Sequence, residues 1–398
     1  MDLIDWSPLL RMALLGAVIA LGPLGWLWLR HRGASASGRL RALTWLTLFL
    51  TFDLVLFGAF TRLSDSGLGC PDWPGCYGSA SPIGARDEIG AAQAALPDGP
   101  VTLGKAWIEM LHRYLATAVG VLLTVIAAMS WRLRKQGGQT PPDSPAPAGL
   151  PSPWLATLTL AWVIAQGAFG ALTVTMKLYP AIVTLHLLGG LGLLALLAAQ
   201  GQTFARQPLP LSRGLMALAW AVAVLLLVQS GLGAWVSSNY AVLACRDFPL
   251  CQGQWWPPMD FEQGFTLRRA LGQTADGAYL PFAALTAIHF AHRAMASVVL
   301  AAMAALAWRL AATARAAGGD VGQALRRHAA GLALLALWQL ASGMSNVVLG
   351  WPMLAAVAHT GGAAAVAVLM ASLLAQAGRQ QREAAQPALN KMRRPLQA

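Results

Sequence analysis

The stretch EMLHRYLATAVGVLLTVIAAMSWRLRK, residues 109–135, is a long apolar run with a carboxylate, an imidazole and a guanidinium near its start and basic residues at its end. An α-helix rises about 1.5 Å per residue, so such a run can cross a hydrocarbon core of about 30 Å. The whole chain has the same bias, since 57% of its 398 residues are hydrophobic and 11% are charged. A soluble domain has about 25% charged residues. The composition therefore excludes a soluble or disordered chain, and the continuous runs favour membrane helices over the alternating segments of a β-barrel.

Nine apolar segments of this kind occur along the chain, and each is long enough to span a membrane as a helix. The first follows Asp2 and Asp5 and precedes its positive charges, so we expect a retained helix rather than a signal peptide. The Pro-rich stretch 136–153 is typical of a linker. The predicted spans are 9–29, 42–62, 105–131, 154–176, 180–204, 214–236, 281–308, 329–349 and 353–377.

The distribution of Lys and Arg predicts the orientation of these spans. Basic residues concentrate in one set of loops and in the C-terminal tail. By the positive-inside rule, these parts face the cytoplasm of a bacterial inner membrane, with the C-terminus inside and the N-terminus outside. The opposite loops, about 63–104 and 237–280, contain all four cysteines and are predicted to be periplasmic. The net charge of +12 is then explained by the basic cytoplasmic loops of a protein embedded in membrane lipid, and no nucleic-acid partner is expected.

Several landmarks recur at a nearly constant offset and predict an internal repeat. The C-x5-C motif at 70–76 recurs at 245–251, and EMLHR at 109–113 recurs as HFAHR at 289–293. Further pairs at a similar offset are Gly58 with Gly233, Gln166 with Gln339 and His186 with His359. Because several residue types recur together, chance is an implausible explanation.

The predicted fold is an all-α polytopic membrane protein. Two tandem four-helix transmembrane bundles are related by a pseudo-two-fold repeat about the membrane normal, and one extra N-terminal transmembrane helix precedes them. The predicted divisions are 1–41 for the extra helix and its basic loop, 42–204 for the first repeat, 205–377 for the second repeat and 378–398 for the basic cytoplasmic tail.

Five of the seven histidines lie within predicted spans, where polar side chains are by default functional. His31 and His328 fall in basic loops, and we expect them to be solvated. Four of the others form two pairs at comparable depth on different helices: His112 with His186, and His292 with His359. Two facing imidazoles in an apolar bundle suit the axial positions of a haem iron.

Two other interpretations of these histidines stay open at this point. They could hydrogen-bond between helices, or bind zinc, although each pair lacks the third ligand that a zinc site requires. Glycines at 189–190 and 361–362 could admit a flat macrocycle or serve helix packing.

The residue three positions before the matched histidine differs between the halves. It is Glu109 before His112 and His289 before His292, and a spacing of three places each pair on one helix face. The first half thus has a carboxylate beside its histidines, which predicts a reactive site there and a simpler haem in the second half. The alternative for Glu109 is a helix-end residue in contact with water or Lys105.

The cysteines form two C-x5-C pairs in loops predicted to lie on the disulfide-permissive side. Close spacing and the repeat favour Cys70–Cys76 and Cys245–Cys251 over the other pairings, and zinc bound by all four is the alternative. Three arginines are placed to contact a haem propionate or to reach water: Arg62, Arg113 and Arg293.

These motifs together resemble the heme A synthase family. The resemblance rests on GAFTRLSDSGLGCPDWPGC at 58–76, EMLHR at 109–113, the HR pair at 292–293 and the single histidines at 186 and 359, and it covers about 42–377. It implies oxidation of a methyl group of heme O to the formyl group of heme A, with oxygen from water, for cytochrome oxidase assembly.

Carried over by position, the resemblance implies a role for each site residue. His112 and His186 would hold heme O or heme A, His292 and His359 would ligate heme b, and Glu109 would be the catalytic carboxylate. The pair Cys70–Cys76 would be tied to activity and Cys245–Cys251 would be more structural. Expected partners are the heme O-forming farnesyltransferase, terminal oxidase assembly factors and an electron acceptor that the sequence does not identify.

Two other function classes compete with this one. A di-haem b-type electron-transfer cytochrome without haem chemistry usually has two histidines on each ligand helix, whereas here four helices contribute one ligand each. A transporter with parallel repeats needs ionisable residues near the midplane, and the spans offer little beyond Asp53.

Overall fold

The computed structural model describes residues 7–137, 152–205 and 208–393, with side chains described in 7–136, 152–205 and 208–379. The linker predicted at 136–153 lies largely outside these ranges. Within them the chain is all-helical, with three isolated bridges between single residues and no strand. Nine of the described helices are long and apolar enough to cross a membrane. The predicted all-α polytopic membrane fold is therefore confirmed.

Apart from the stretch between α4 and α5, most of which lies outside the described residues, the helices follow one another with short connections except at two large loops. They are α1 (Ser7–Arg30), α2 (Ala36–Leu63), α3 (Arg86–Ala95), α4 (Leu103–Gly137), α5 (Pro153–Thr175), α6 (Pro180–Gln202), α7 (Arg213–Ser238), α8 (Phe261–Gly264), α9 (Phe282–Ala317), α10 (Gly319–Val348) and α11 (Met353–Arg393). The loops after α2 and α7 contain the cysteines and the short helices α3 and α8, and we call their side of the bundle the cysteine-loop end.

The connection predicted between residues 309 and 328 is helical instead of a loop. Its alanines favour helix, and the chain turns at Gly318 and Gly319, whose φ values of 62° and 51° lie in the left-handed region. The prediction that His328 is solvated was therefore wrong. His328 lies in α10, is 9% exposed, and places its Nδ1 3.0 Å from the carbonyl oxygen of Ala324.

Two tight turns at the cysteine-loop end set the depth of two histidines. Lys177 and Leu178 have φ values of 51° and 57° just before Pro180 begins α6, and Gly350 and Trp351 have values of 69° and 66° before α11. Proline fixes the φ that the first turn of a helix requires and lacks the N–H that would be unpaired there. His186 and His359 each become the seventh residue of their helix as a result.

Packing joins α2, α4, α5 and α6 in one group and α7, α9, α10 and α11 in another, while α1 lies against α4. Across the groups, Arg62 Nη2 donates to the Ser237 carbonyl at 2.7 Å, and the Tyr240 hydroxyl donates to Asp65 Oδ1 at 2.6 Å. Both contacts join residues 175 positions apart, the offset of the landmarks. Residues near a two-fold axis meet their own counterparts, so these contacts support the predicted axis, which stays a prediction.

The tightly packed core lies away from the cysteine-loop end. Its two main clusters centre on Leu122, Leu194 and Ile126 in the first group and on Met303 and Leu306 in the second. On each histidine-bearing helix, this core begins five to seven residues beyond the histidine, at Ala118, Leu191, Val299 and Ala364. The histidines therefore lie between these two clusters and the cysteine-loop end.

The contact between α1 and α4 depends on a close approach at Gly16. A Cβ there would lie 2.6 Å from Thr117 Cβ and 3.1 Å from the backbone nitrogen of Ala118. We expect Gly16→Leu to destabilise the protein by about 1–3 kcal/mol through overpacking, measured as a lower unfolding temperature in detergent. Gly25→Leu is the control, since nothing lies within 4 Å of a Cβ at that position. Equal unfolding temperatures for the two variants would contradict the packing of α1 on α4.

Candidate functional site

Both cysteine pairs are disulfide-bonded, Cys70 to Cys76 and Cys245 to Cys251, as the spacing predicts, which excludes zinc bound by all four. In each loop an aspartate accepts hydrogen bonds from backbone N–H groups of the same loop. The carboxylate of Asp72 accepts from the N–H groups of Tyr77 and Gly78 at 2.6 and 2.7 Å. Asp247 accepts in the same way from Gln252 and Gly253, each at 2.8 Å. The two loops thus share one local design.

Each loop is hydrogen-bonded to a histidine-bearing helix through the residue three positions before the histidine. The Cys70 N–H donates to Glu109 Oε2 at 2.8 Å, and the Cys245 N–H donates to His289 Nδ1 at 3.2 Å. Glu109 is 4% exposed and His289 is 3% exposed. The role of His289, which the sequence leaves open, is therefore to accept a hydrogen bond from the second loop.

Glu109 forms a buried ion pair with Arg113, at 2.5 Å between Oε1 and Nη2. Lys105 donates instead to the Gly99 carbonyl at 3.4 Å. The alternative of Glu109 as a helix-end residue in contact with water or Lys105 is therefore wrong. A buried carboxylate is costly unless it is paired and hydrogen-bonded, and here both oxygens have a partner.

The three arginines differ in how many of their guanidinium N–H groups have a hydrogen-bond acceptor in the protein. Arg113 Nη1 donates to carbonyl oxygens in the first cysteine loop, those of Asp72 at 3.0 Å, Pro74 at 3.2 Å and Gly75 at 2.5 Å. Arg293 Nη2 donates to the carbonyls of Pro249 and Leu250, both at 3.0 Å, but its buried Nη1 has no partner in the described ranges.

Arg62 lies at the junction of the two groups of helices. Besides its bond to Ser237, its guanidinium stands 4.1 Å from the ring centre of Tyr240 and 3.4 Å from Asp65. Its side chain is 14% exposed, so one edge remains accessible to a ligand.

Each of the four span histidines predicted as ligands packs against a glycine of the preceding long helix. A Cβ would stand 2.9 Å from the His112 ring at Gly58 and 3.0 Å from the His292 ring at Gly233. The corresponding distances are 3.4 Å between Gly170 and His186 and 3.3 Å between Gly343 and His359. At Gly58 and Gly233 a side chain larger than glycine would displace the ring, whereas at Gly170 a Cβ would only touch it.

The rings of the second pair face each other at a distance that a metal between them would require. The ring centres of His292 and His359 are 6.5 Å apart, with planes at 83°. Two metal–nitrogen bonds of about 2 Å, with the half-widths of two imidazoles, span about 6 Å. Gln229 Nε2 lies 3.1 Å from His292 Nδ1, and Ser342 Oγ lies 2.9 Å from His359 Nδ1. Ser342 Oγ can accept from the Nδ1–H of His359, which leaves Nε2 of that ring for a metal. The amide nitrogen of Gln229 is a donor and also lies 3.5 Å from His292 Nε2, so it positions the His292 ring without selecting the ligating nitrogen. The ring spacing and His359 therefore fit a haem.

The first pair is held less firmly. The rings of His112 and His186 are near enough to interact electrostatically, and Phe57 stacks on His112 at 6.3 Å between ring centres. The buried Nδ1 of His186 has no hydrogen-bond partner among the described residues. This pair offers two imidazoles but lacks the matched Nδ1 partners of the second.

The glycines singled out at 189–190 and 361–362 serve helix packing. A Cβ at Gly189 would collide with Gln166, and one at Gly362 would stand 2.7 Å from Gln339 Nε2. A Cβ at Gly361 would stand 2.9 Å from Leu56. Between the two alternatives drawn from the sequence, these contacts favour packing over room for a macrocycle.

Sequence reasoning missed the partners of the histidines. Gln229 and Ser342 are ordinary polar residues in spans, and only their position beside a histidine reveals their role. Gly58 and Gly233 gave a signal, since they recur at the repeat offset, but their contact with the imidazoles could not be inferred from the offset.

Comparison with known proteins supplies the remaining information. The sequence profile of COX15-CtaA, described as cytochrome oxidase assembly protein, matches residues 41–371. The chain is 37% identical to a protein named heme A synthase from Shewanella oneidensis, over 83% of this chain and 95% of the relative. It is 29% identical to a heme A synthase from Shouchella clausii, over 57% of this chain and 66% of that relative. A heme A synthase from Bacillus mycoides is 26% identical over 53% and 62% of the two chains.

The second cysteine loop should depend on pH through Asp247. The N–H of Gly253 is the main cause that lowers the pKa of this carboxyl from its usual 3.8, with the N–H of Gln252 and the charge of Arg293 acting in the same direction. A lowered pKa means that the ionised carboxylate stabilises the loop above pH 3.8, and that this stabilisation is lost as the pH falls through the lowered pKa.

We therefore expect Asp247→Asn to speed amide hydrogen exchange at residues 252 and 253 at pH 7. The wild type should approach the variant as the pH falls below 3.8. Asp98→Asn, at an exposed carboxylate outside the loop, is the control. An exchange rate in the wild type that does not change with pH, after correction for the intrinsic rate, would refute the role of Asp247.

Proposed function

The chain belongs to the COX15-CtaA family of cytochrome oxidase assembly proteins, and we infer that it is a heme A synthase, an oxidoreductase that oxidises heme O to heme A. The observation that carries this conclusion is the 37% identity to a heme A synthase over 95% of that protein's length. The substrate is heme O and the product is heme A, in which a methyl group has become a formyl group.

We propose that the first half binds the substrate and the second half holds heme b. His112 and His186 would hold heme O, and His292 and His359 would hold heme b. The Nδ1 partners of the second pair support a resident group, because fixed rings favour retention. Bound heme b would supply reversible one-electron storage.

Glu109 is the proposed catalytic carboxylate. It lies on the same helix face as His112, and its charge is held by Arg113 and by the Cys70 N–H. A carboxylate has about four acceptor sites, so Glu109 can still accept a proton from an attacking water while both contacts persist. It can also stabilise positive charge that develops at the oxidised methyl carbon.

The cysteine loop is tied to this carboxylate by the same contacts. Because the Cys70 N–H donates directly to Glu109, any change at Cys70–Cys76 alters the position or charge of the proposed catalytic group. We propose that this pair influences activity, whereas Cys245–Cys251, bonded to the neutral His289, is structural.

The arginines divide between structure and binding in this proposal. Arg113 mainly holds the first loop and Glu109. Arg293, with its free buried Nη1, and Arg62, with its accessible edge, would contact haem propionates, since a planar guanidinium pairs well with a carboxylate.

We also propose the bacterial inner membrane as the location, with the cysteine-loop end facing the periplasm, since the basic loops lie at the other end. The oxidation needs an electron acceptor outside this chain. The heme O-forming farnesyltransferase is a proposed partner, as are oxidase assembly factors.

Haem extraction from cells that co-express this chain with a heme O source tests the function. We expect heme A with the wild type, and at least a 100-fold loss with Glu109→Gln, because general acid–base groups contribute about 10²–10⁴ in rate. Glu88→Gln, an exposed carboxylate in α3, should leave heme A formation unchanged. Bound heme b with heme O left unconverted, in the presence of an electron acceptor, would favour the electron-transfer cytochrome instead.

Single histidine variants test the division between the halves. We expect His292→Ala to lose most of the heme b bound to the purified protein, since a bis-imidazole site loses an axial ligand. His112→Ala should retain heme b and lose only the binding of heme O. Haem stoichiometry and the reduced absorbance spectrum are the measurements, and loss of heme b in both variants would contradict the assignment.

A further inference from the structure

A lipid-accessible cleft between α2 and α11 is not used by the histidines or by Glu109. Its volume is about 550 Å³, within the range of about 300–1,000 Å³ that is usual for small-molecule sites. Leu354 in its wall is 82% exposed, so the cleft opens to the side of the bundle. It is lined by Asp53, Leu56, Phe57, Phe60, Met353, Leu354 and Val357.

Asp53 is the only ionisable side chain among the residues that line the cleft. It lies ten residues before the end of α2, about 15 Å from that end and so near the middle of a core of about 30 Å. Its side chain is exposed, and it has no hydrogen bond or ion pair within the described ranges. An ionisable group at this depth is costly and needs a polar partner.

The matching surface in the other half is filled. By the repeat offset, the contact of α6 with α7 corresponds to that of α11 with α2. Trp235 stands there in place of Phe60 and packs in a buried cluster with Ala181 beside it. Val228 stands in place of Asp53, and Thr184 Oγ lies 3.3 Å from Ser238 Oγ across the contact. The open, acidic cleft is therefore specific to α2.

One side chain, Phe57, lies between the cleft and the first histidine pair. Phe57 forms part of its wall and stacks on His112. Gly58, the next residue, packs against the same ring. A macrocycle held by His112 would therefore have one edge near α2, one turn of helix from Asp53.

We propose that this cleft binds the hydroxyethylfarnesyl side chain of heme O, with the Asp53 side chain hydrogen-bonded to the hydroxyl group. The proposal rests on heme O as substrate. Heme O differs from protohaem by this isoprenoid alcohol, so the apolar walls would bury the farnesyl chain and Asp53 would recognise the hydroxyl. The cleft would thereby determine which haem the first half accepts.

A bound lipid acyl chain is the competing occupant. It would fill the apolar walls but would leave Asp53 without a polar partner at mid-depth. An isoprenoid alcohol supplies both an apolar chain and a hydroxyl, and so satisfies the two features of the cleft together.

The test compares binding of heme O and protohaem to the full chain in lipid nanodiscs, by absorbance titration. Asp53→Leu removes the polar partner and should weaken heme O binding about three- to tenfold, as expected for one hydrogen bond. Phe60→Trp fills the cleft as Trp235 does in the other half, and should weaken heme O binding about tenfold or more. Protohaem binding should be unchanged in both variants.

Phe49→Trp is the matched control, since Phe49 is an exposed phenylalanine of α2 outside the cleft. Its preference for heme O should equal that of the wild type. Unchanged heme O affinity in both Asp53→Leu and Phe60→Trp would overturn the proposal. This is the result expected if the cleft holds a lipid acyl chain, which Phe60→Trp would expel without an effect on heme O. Equal weakening of both haems would also overturn it. If Phe60→Trp fails to fold, Asp53→Leu decides alone, because an apolar residue at mid-membrane favours folding.

Conversion of heme O to heme A by the wild type is measured separately. Absent conversion with an intact preference for heme O would refute the proposed function and leave the cleft assignment standing. Normal conversion with no effect of the cleft variants on haem preference would leave the proposed function standing and refute the cleft assignment.

Discussion

The hydrogen bond from the first cysteine of each loop to the helix below it is the contact on which the site depends. It fixes a loop outside the apolar layer to the residue one turn before a histidine. Without it, the buried carboxylate of Glu109 would lose one of its main hydrogen bonds, and a buried charge with incomplete pairing is unstable. The disulfide and the aspartate within each loop keep this N–H in place. The charge at the site therefore depends on the folded conformation of the loop.

The two halves use the same framework for different chemistry. At matched positions the loop N–H meets a carboxylate in one half and an imidazole in the other. Arg113 is saturated by carbonyls and Glu109, whereas Arg293 keeps a buried donor unused. In the first half the polar groups hold a charge beside the histidine pair, and in the second half they contact the histidine rings. This division agrees with the proposal of a reactive site in the first half and a resident cofactor in the second.

The sequence predicted the spans and the histidine pairs because apolar runs of membrane length and rare polar residues within them are strong signals. The disulfides followed from spacing, and Glu109 was placed correctly beside His112. The helical connection at 309–328 was missed because basic residues in a short, alanine-rich segment suggest a loop while the backbone prefers helix, and His328 was misplaced with it. Gln229, Ser342 and the four glycines could not be found, since their role lies in contacts between helices that no single-helix pattern encodes.

The position of the core explains why a site can exist at this depth at all. Tight packing of leucine and alanine begins five to seven residues past each histidine, towards the end opposite the cysteine loops. The two largest buried clusters therefore hold the bundle together at one end, and smaller buried clusters pack the cysteine loops on the helices at the other. There the glycines allow close approach beside each imidazole, and α2 and α11 part enough to leave a cleft. A large flat ligand with a long apolar chain needs both features: a rigid base that fixes its axial ligands, and a side opening through which the chain can remain in contact with lipid while the ring is bound.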